Sequence, residues 1–275
     1  MFNFFHFHTK SKVAFESPTA EFAQLRGRDN HALQPLVVRQ PAYSSVSLNH
    51  VRALENWQKL KSKVLPIVRG AFKECTVLKE HCYLEKLDPH HLYGNLHRQL
   101  LRKWMQSGTT QSYFDWVGVV AHKGVYQVPC DQLHSQFEIQ IVNGHVIFPP
   151  QFKKDWLGYI QSHSDTELIF VMDRHNQLFA GFKKTGCFHH SSFLQGAPVK
   201  MAGTISVNHH GELLAVSNAS GHYQPTAEKV KFFLDALDVP EAFLKKLQVE
   251  CYDWDSMELI FDGSAADYLQ GMEIK

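Results

Sequence analysis

Asn143-Gly144 divides the segment FEIQIVNGHVIF into two short runs of alternating apolar residues. An Asn-Gly loop is the strongest local hairpin signal, because both residues accept the positive φ that a type I′ turn needs. The form recurs twice. ELIFVMDRHNQLFAGF turns at 173–176, and GTISVNHHGELLAVS turns at 208–211. Three successive hairpins predict an antiparallel meander.

On either side the period becomes helical. Asn49 is placed to cap a helix in which Val51, Leu54, Trp57, Leu60 and Val64 recur at three- and four-residue spacing. Asp88-Pro89 reads as a helix start. A helix is predicted over 92–105, with Leu96, Leu100, Leu101 and Trp104 along one side and Gly108 ending it. After the hairpins, Thr226 is the N-cap of a helix with Glu228 in its first turn and Val230, Phe233, Leu234 and Leu237 as its apolar stripe. Pro240 opens a shorter helix, and VECYDW and MELIFDG read as strands. Residues 1–48 contain Pro18, Pro35 and Pro41 and show no period, so they read as a partly ordered arm. The predicted class is α+β: N-terminal helices followed by an antiparallel meander sheet, then helices and closing strands. They form a single domain over 49–265, with a tail over 266–275.

Composition excludes several roles. The 28 Lys and Arg nearly cancel the 27 Asp and Glu, so no basic field favours nucleic acid. No run approaches the roughly 20 apolar residues of a membrane span. The start MFNFFHFHTKSK lacks a basic leading region and reaches Lys10 too soon for a signal-peptide core. The expected location is cytoplasmic, or a host cell reached through a specialised secretion system. The five cysteines are scattered and odd in number, which favours a reduced chain.

Two dense polar clusters flank the third hairpin: His189-His190-Ser191-Ser192 and Ser220-Gly221-His222-Tyr223. One reading makes them the walls of a pocket, with His190, Ser191, Ser192, His222 and Tyr223 facing in. On a strand, adjacent side chains point to opposite faces, so only one of His189 and His190 would do so. The other reading is a satisfied hydrogen-bond network that rigidifies the domain, with Gly221 taking a positive φ in the turn. Metal is not predicted. The adjacent histidine pairs each offer at most one ligand to a given site, and no Cys or carboxylate stands at ligand spacing.

The segment YLEKLDPHHLYGNLHRQLLRKWMQSGTTQSYFDWV (83–117) resembles the plant IQ-motif calmodulin-binding protein family, through its Leu-Glu, its Asp-Pro-x-His-x-Tyr-Gly block and its Gln-x-Phe-x-Trp-like end. Residues 169–237 are similar to the same family's most distinctive stretch, through HSSFL (190–194), Ala202-Gly203 and SGHYQPT (220–226). The resemblance implies a shared domain and a protein partner, with calmodulin the partner that an IQ motif would bring. The segment VLPIVRGAFKE (64–74) keeps the Arg69-Gly70 of such a motif but has Leu65 in place of Gln and Glu74 in place of the final Arg.

A second similarity is to diphtheria-toxin-type mono-ADP-ribosyltransferases, in the order His190, Tyr223, Glu258. It implies an effector-like transferase with NAD as substrate. His190, Ser191, Ser192 and His222 would hold NAD, Tyr223 would stack nicotinamide, and Glu258, with His190, would be catalytic. Two functions stay open at this point: NAD-dependent transfer of ADP-ribose to a protein side chain, and a non-catalytic protein-binding module.

Overall fold

The three predicted hairpins all form, and their turns are held by the residues that announced them. Asn143 and Gly144 take φ of 50° and 80° between β1 (Glu138–Val142) and β2 (His145–Ile147). Asp173 Oδ1 accepts the His175 and Gln177 amides between β3 (Thr166–Met172) and β4 (Leu178–Gly181). Asn208 Oδ1 does the same for His210 and Glu212 between β5 (Met201–Val207) and β6 (Leu213–Ser217). Short side chains that bond backbone two and four residues on make such turns self-specifying.

These elements belong to a computed structural model that describes residues 62–63, 65–88, 91–120 and 124–273. The arm over 1–48 and nearly all of the Asn49-capped helix lie outside the described residues. Ten helices are described: α1 (Leu65–Ala71), α2 (Glu80–Leu87), α3 (Gly94–Ser107), α4 (Tyr113–Val120), α5 (Cys130–Phe137), α6 (Lys154–Ser162), α7 (His190–Phe193), α8 (Ala227–Asp235), α9 (Glu241–Leu244) and α10 (Ala265–Glu273). With β7 (Gln248–Asp253) and β8 (Glu258–Ser264) they make the α+β class predicted. The tail expected over 266–275 is largely helix α10.

The sheet order is β2-β1-β4-β3-β5-β6-β7-β8. Each hairpin is intact, but the second is inserted in reverse: β4 pairs with β1, and β3 pairs with β5. The β6–β7 pair is parallel, because the connection through α8 and α9 returns the chain to the same edge.

Strand β3 does not alternate. Five successive residues, from Leu168 to Met172, are all buried. Phe170 meets Phe233 of α8 at 4.9 Å between ring centroids. On the opposite face Ile169 pairs with Gly181, whose backbone lies against Trp156 of α6 and Phe137 of α5. A strand covered on both faces reads as a continuous apolar run.

Two helix ends fall at their expected caps. Gly108 takes φ 64° to close α3, and Thr226 is the N-cap of α8. Asp88 departs from expectation. It is the C-cap of α2 rather than a helix start, its amide bonding Leu84 and its carboxylate accepting the Leu92 amide at 3.1 Å. That carboxylate also lies 3.2 Å from His97 Nε2, at ion-pair distance though off the hydrogen-bonding direction, in the interior beside Trp104 and Tyr113.

Candidate functional site

His189 and His190 do not lie on a strand. His189 is the N-cap of α7 and His190 its first residue, and the Ser192 hydroxyl accepts the His189 amide at 3.0 Å. The HHSS run is therefore a helix start, in which Ser192 satisfies a donor that would otherwise have no partner. The two rings part company. His190 turns inward, where Nε2 donates to the Gly203 carbonyl of β5 at 2.8 Å. His189 turns toward the second cluster and stacks on Tyr93, with centroids 4.4 Å apart and planes 4° from parallel.

Because β5 and β6 form a hairpin, the segment before β5 and the segment after β6 arrive at one end of the sheet. His222 thus comes within 5.0 Å of His189 and 5.6 Å of Tyr93, centroid to centroid. The group that unites them is Glu85 of α2, which nothing in its local sequence marks as a site residue. Its Oε1 accepts the Ser191 hydroxyl at 2.5 Å, and its Oε2 accepts His222 Nε2 at 3.0 Å and the Gly94 amide at 2.9 Å. Glu85 and His222 are almost wholly buried. Burial works to raise the Glu85 carboxyl, but the hydrogen bond and charge of His222, with the Ser191 hydroxyl and the Gly94 amide, outweigh it and hold the group below the ordinary carboxylate range.

The remaining cluster residues are committed elsewhere. Tyr223 is fully buried and its hydroxyl donates to the Ala197 carbonyl at 2.8 Å. Ser220 Oγ receives the Tyr223 amide at 3.4 Å. In this turn the positive φ belongs to Gln224, at 51°, and not to Gly221. Glu258 stands exposed at the start of the edge strand β8, paired with Asp253, and among the described residues no hydrogen bond or ion pair joins its side chain to the cluster. The arrangement brings Ser191 and His222 onto Glu85, with His189 stacked beside His222; it sends His190 to the Gly203 carbonyl, and it leaves Tyr223 in the core and Glu258 at the sheet edge.

Both N-terminal histidines are held neutral. Burial carries the His190 ring down to about 3, and burial, with the charge of His222 next, puts His189 well below its usual range. Geometry agrees for His189, since its Nε2 accepts the Gly186 amide at 2.8 Å and must be unprotonated. The unfolded chain takes up these protons below pH ~6.5, whereas the folded chain refuses them. Stability should therefore be constant above that pH and fall by about 1.4 kcal/mol per pH unit for each ring below it, continuing toward pH 3 for His190. Urea midpoints measured from pH 7.5 to 4.5 would show the decline, and a flat profile would mean that the rings accept protons in place.

Comparison with known proteins bears on the same residues. Residues 134–230, from α5 to α8 and including His189 to Ser192 and Ser220 to Tyr223, match the family model of the IQ motif-containing protein middle domain. The chain shares the domain of the plant IQ-motif proteins. It is similar to three Arabidopsis thaliana proteins: IQ domain-containing protein IQM1, 30% identical over 71% of this chain and 43% of the relative; IQM5, 28% over 77% and 45%; and IQM3, 29% over 74% and 48%. The chain thus spans a little under half the length of each. No solved structure matches it. The likeness lies with IQ-motif proteins and not with ADP-ribosyltransferases, which overturns the expectation of an NAD-dependent, effector-like transferase. Among the described residues no helix is long and apolar enough to cross a membrane.

Proposed function

We propose that the chain is a non-catalytic protein-binding module of the IQ-motif kind, with calmodulin as partner. The match of residues 134–230 to the middle domain of IQ motif-containing proteins carries this reading. The geometry supports it: Ser191 and His222 spend their hydrogen bonds on Glu85, His190 and Tyr223 spend theirs on backbone carbonyls, and Glu258 stands apart at the sheet edge. A serine whose hydroxyl donates to an ionised, low-pKa carboxylate has no effective base beside it.

Helix α1 is the segment that would meet calmodulin. Its Leu65, where an IQ motif has Gln, is buried at 1% exposure and ties the helix to the domain. Ile67, at 71%, is open to solvent, as is Arg69 of the Arg-Gly pair. An amphipathic helix binds through such outward apolar and basic anchors. Titration of calmodulin into the purified chain, with calcium and with chelator, should give a one-to-one complex in at least one condition, and Ile67→Asp with Arg69→Glu should abolish it. Absence of a complex in both conditions would remove calmodulin as the partner.

A further inference from the structure

The two ends of the sheet are treated differently. At one end the β1–β2 hairpin closes on the start of β6, where the Val146 amide bonds the Gly211 carbonyl at 2.7 Å and the Leu213 amide bonds Gly144 at 2.8 Å. At the other end β8 has β7 as its neighbour and, among the described residues, no strand beyond it. An edge strand presents N–H and C=O groups with no ladder partner, and proteins ordinarily guard it with lysine, proline, a bulge or a covering element. Strand β8 has neither lysine nor proline. It exposes two adjacent large apolar residues, Leu259 at 46% and Ile260 at 54%.

A bulge sets which way the side chains face. Tyr252 pairs with Leu259 and Cys251 with Phe261, so Ile260 is the extra residue. Cross-strand partners share a face. Leu259 and Asp262 therefore lie on the face of Tyr252 and Glu250. Phe261 and Glu258 lie on the other, where Phe261 meets the Tyr268 ring of α10 at 4.9 Å. The edge thus carries one carboxylate on each face, with exposed apolar residues between them.

The surroundings are of one sign. From 248 to 271 the chain has six carboxylates, Glu250, Asp253, Asp255, Glu258, Asp262 and Asp267, and no Lys, Arg or His. Among the described residues none of the six forms an ion pair. Their side-chain donors are neutral, such as the Gln248 amide on Asp262 and the Tyr252 hydroxyl on Glu250. The crowding is felt at Tyr252, whose hydroxyl is raised by burial first and then by the charges of Glu250, Glu167 and Asp262.

We propose that the β8 edge is a docking site for an extended, lysine- and arginine-rich segment of a partner protein, added to the sheet as a further strand. Backbone pairing would supply affinity, and the flanking side chains would supply selection. Cations on the incoming strand meet Glu258 and Asp262, and its apolar residues cover Leu259 and Ile260. The same charges reject a second copy of this chain. Antiparallel pairing of β8 with itself about Ile260 would set Glu258 against Asp262 at both ends, and like charges placed opposite one another are destabilising. The proposal does not rest on the calmodulin reading, because α1 and β8 share no residue.

The test uses the full chain and a fluorescent peptide of sequence TKVTVTVRT, with TEVTVTVET as contrast. The basic peptide should bind one to one with Kd of about 100 µM or tighter, in the range of weak, transient contacts. Binding should weaken as salt rises from about 0.05 to about 0.5 M, and the acidic peptide should fail to bind. Amide resonances of 258–264 should shift and become protected from exchange. Glu258→Lys combined with Asp262→Lys should weaken binding by about tenfold or more. Both residues are exposed, so the variant should fold, and since it leaves α1 unchanged its calmodulin titration separates this proposal from that reading. The proposal is overturned if the basic peptide does not bind, if the acidic peptide or the charge-reversed variant binds equally well, or if the perturbed amides lie away from β8. Self-association of the parent through β8, abolished in the variant, would also overturn it by naming a second copy as the occupant.

Discussion

Glu85→Ala is expected to lower the stability of the domain by about 3–5 kcal/mol, because stranding a buried hydrogen-bonding group costs about 1–3 kcal/mol and several are stranded at once. The substitution leaves three donors without an acceptor: the Ser191 hydroxyl, His222 Nε2 and the Gly94 amide. These come from α7, from the turn after β6 and from the start of α3, so one side chain hydrogen-bonds to three segments distant in sequence. Glu85→Gln should cost far less. An amide oxygen can serve His222 and Gly94, and the Ser191 hydroxyl can rotate to accept from the amide nitrogen, so the geometry survives with neutral bonds in place of charge-assisted ones. Glu258→Gln, on the exposed edge of β8, should change stability by less than about 0.5 kcal/mol. Urea denaturation of the three variants separates the cases. Equal midpoints for Glu85→Ala and the parent would mean that the cluster is not a structural joint.

Where the chemistry is local, the sequence declares it. Asn143-Gly144, Asp173 and Asn208 specify their turns with their own side chains, and Gly108 and Thr226 mark helix ends by the same short-range rules. Glu85 is different. Its partners Ser191 and His222 lie 106 and 137 positions away, and no period or spacing reports a contact across that distance. The signal present was its place in the Leu-Glu of the 83–117 resemblance, beside the Tyr93-Gly94 that turns out to touch the same cluster. The exchange of His189 for His190 has a nearer cause. Strand alternation does not hold in this run, which is a helix start where Ser192 folds back on the His189 amide. The reversed insertion of the second hairpin was also hidden, because β3 is apolar on both faces and so shows no face by which to choose its neighbours.

Gly203→Ala should be strongly destabilising. A Cβ at this position would overlap the backbone carbonyl oxygen of Ser217 on β6, and would stand 2.9 Å from the carbon of that carbonyl and 3.2 Å from Asn218 Cα. The obstacle is backbone, so no rotamer change relieves it. Strand β5 cannot retreat either. It is paired with β3 along its whole length and with β6 on its other side, and the Gly203 carbonyl accepts the buried His190 ring. The contact must therefore be relieved by breaking the β5–β6 ladder or by releasing His190 from its acceptor, each of which strands buried polar groups. A loss of about 4 kcal/mol or more is expected, which is most of the stability of a domain near the low end of the ordinary range of about 5–15 kcal/mol. Gly221→Ala is the matched control. It lies in the SGHY turn itself, with nothing within 4 Å of an added Cβ and no positive φ, so it should be neutral or slightly stabilising through the unfolded chain. If Gly203→Ala instead melts with its control, the sheet yields at this crossing, and the Ala202-Gly203 pair owes its place in the family pattern to something other than steric necessity.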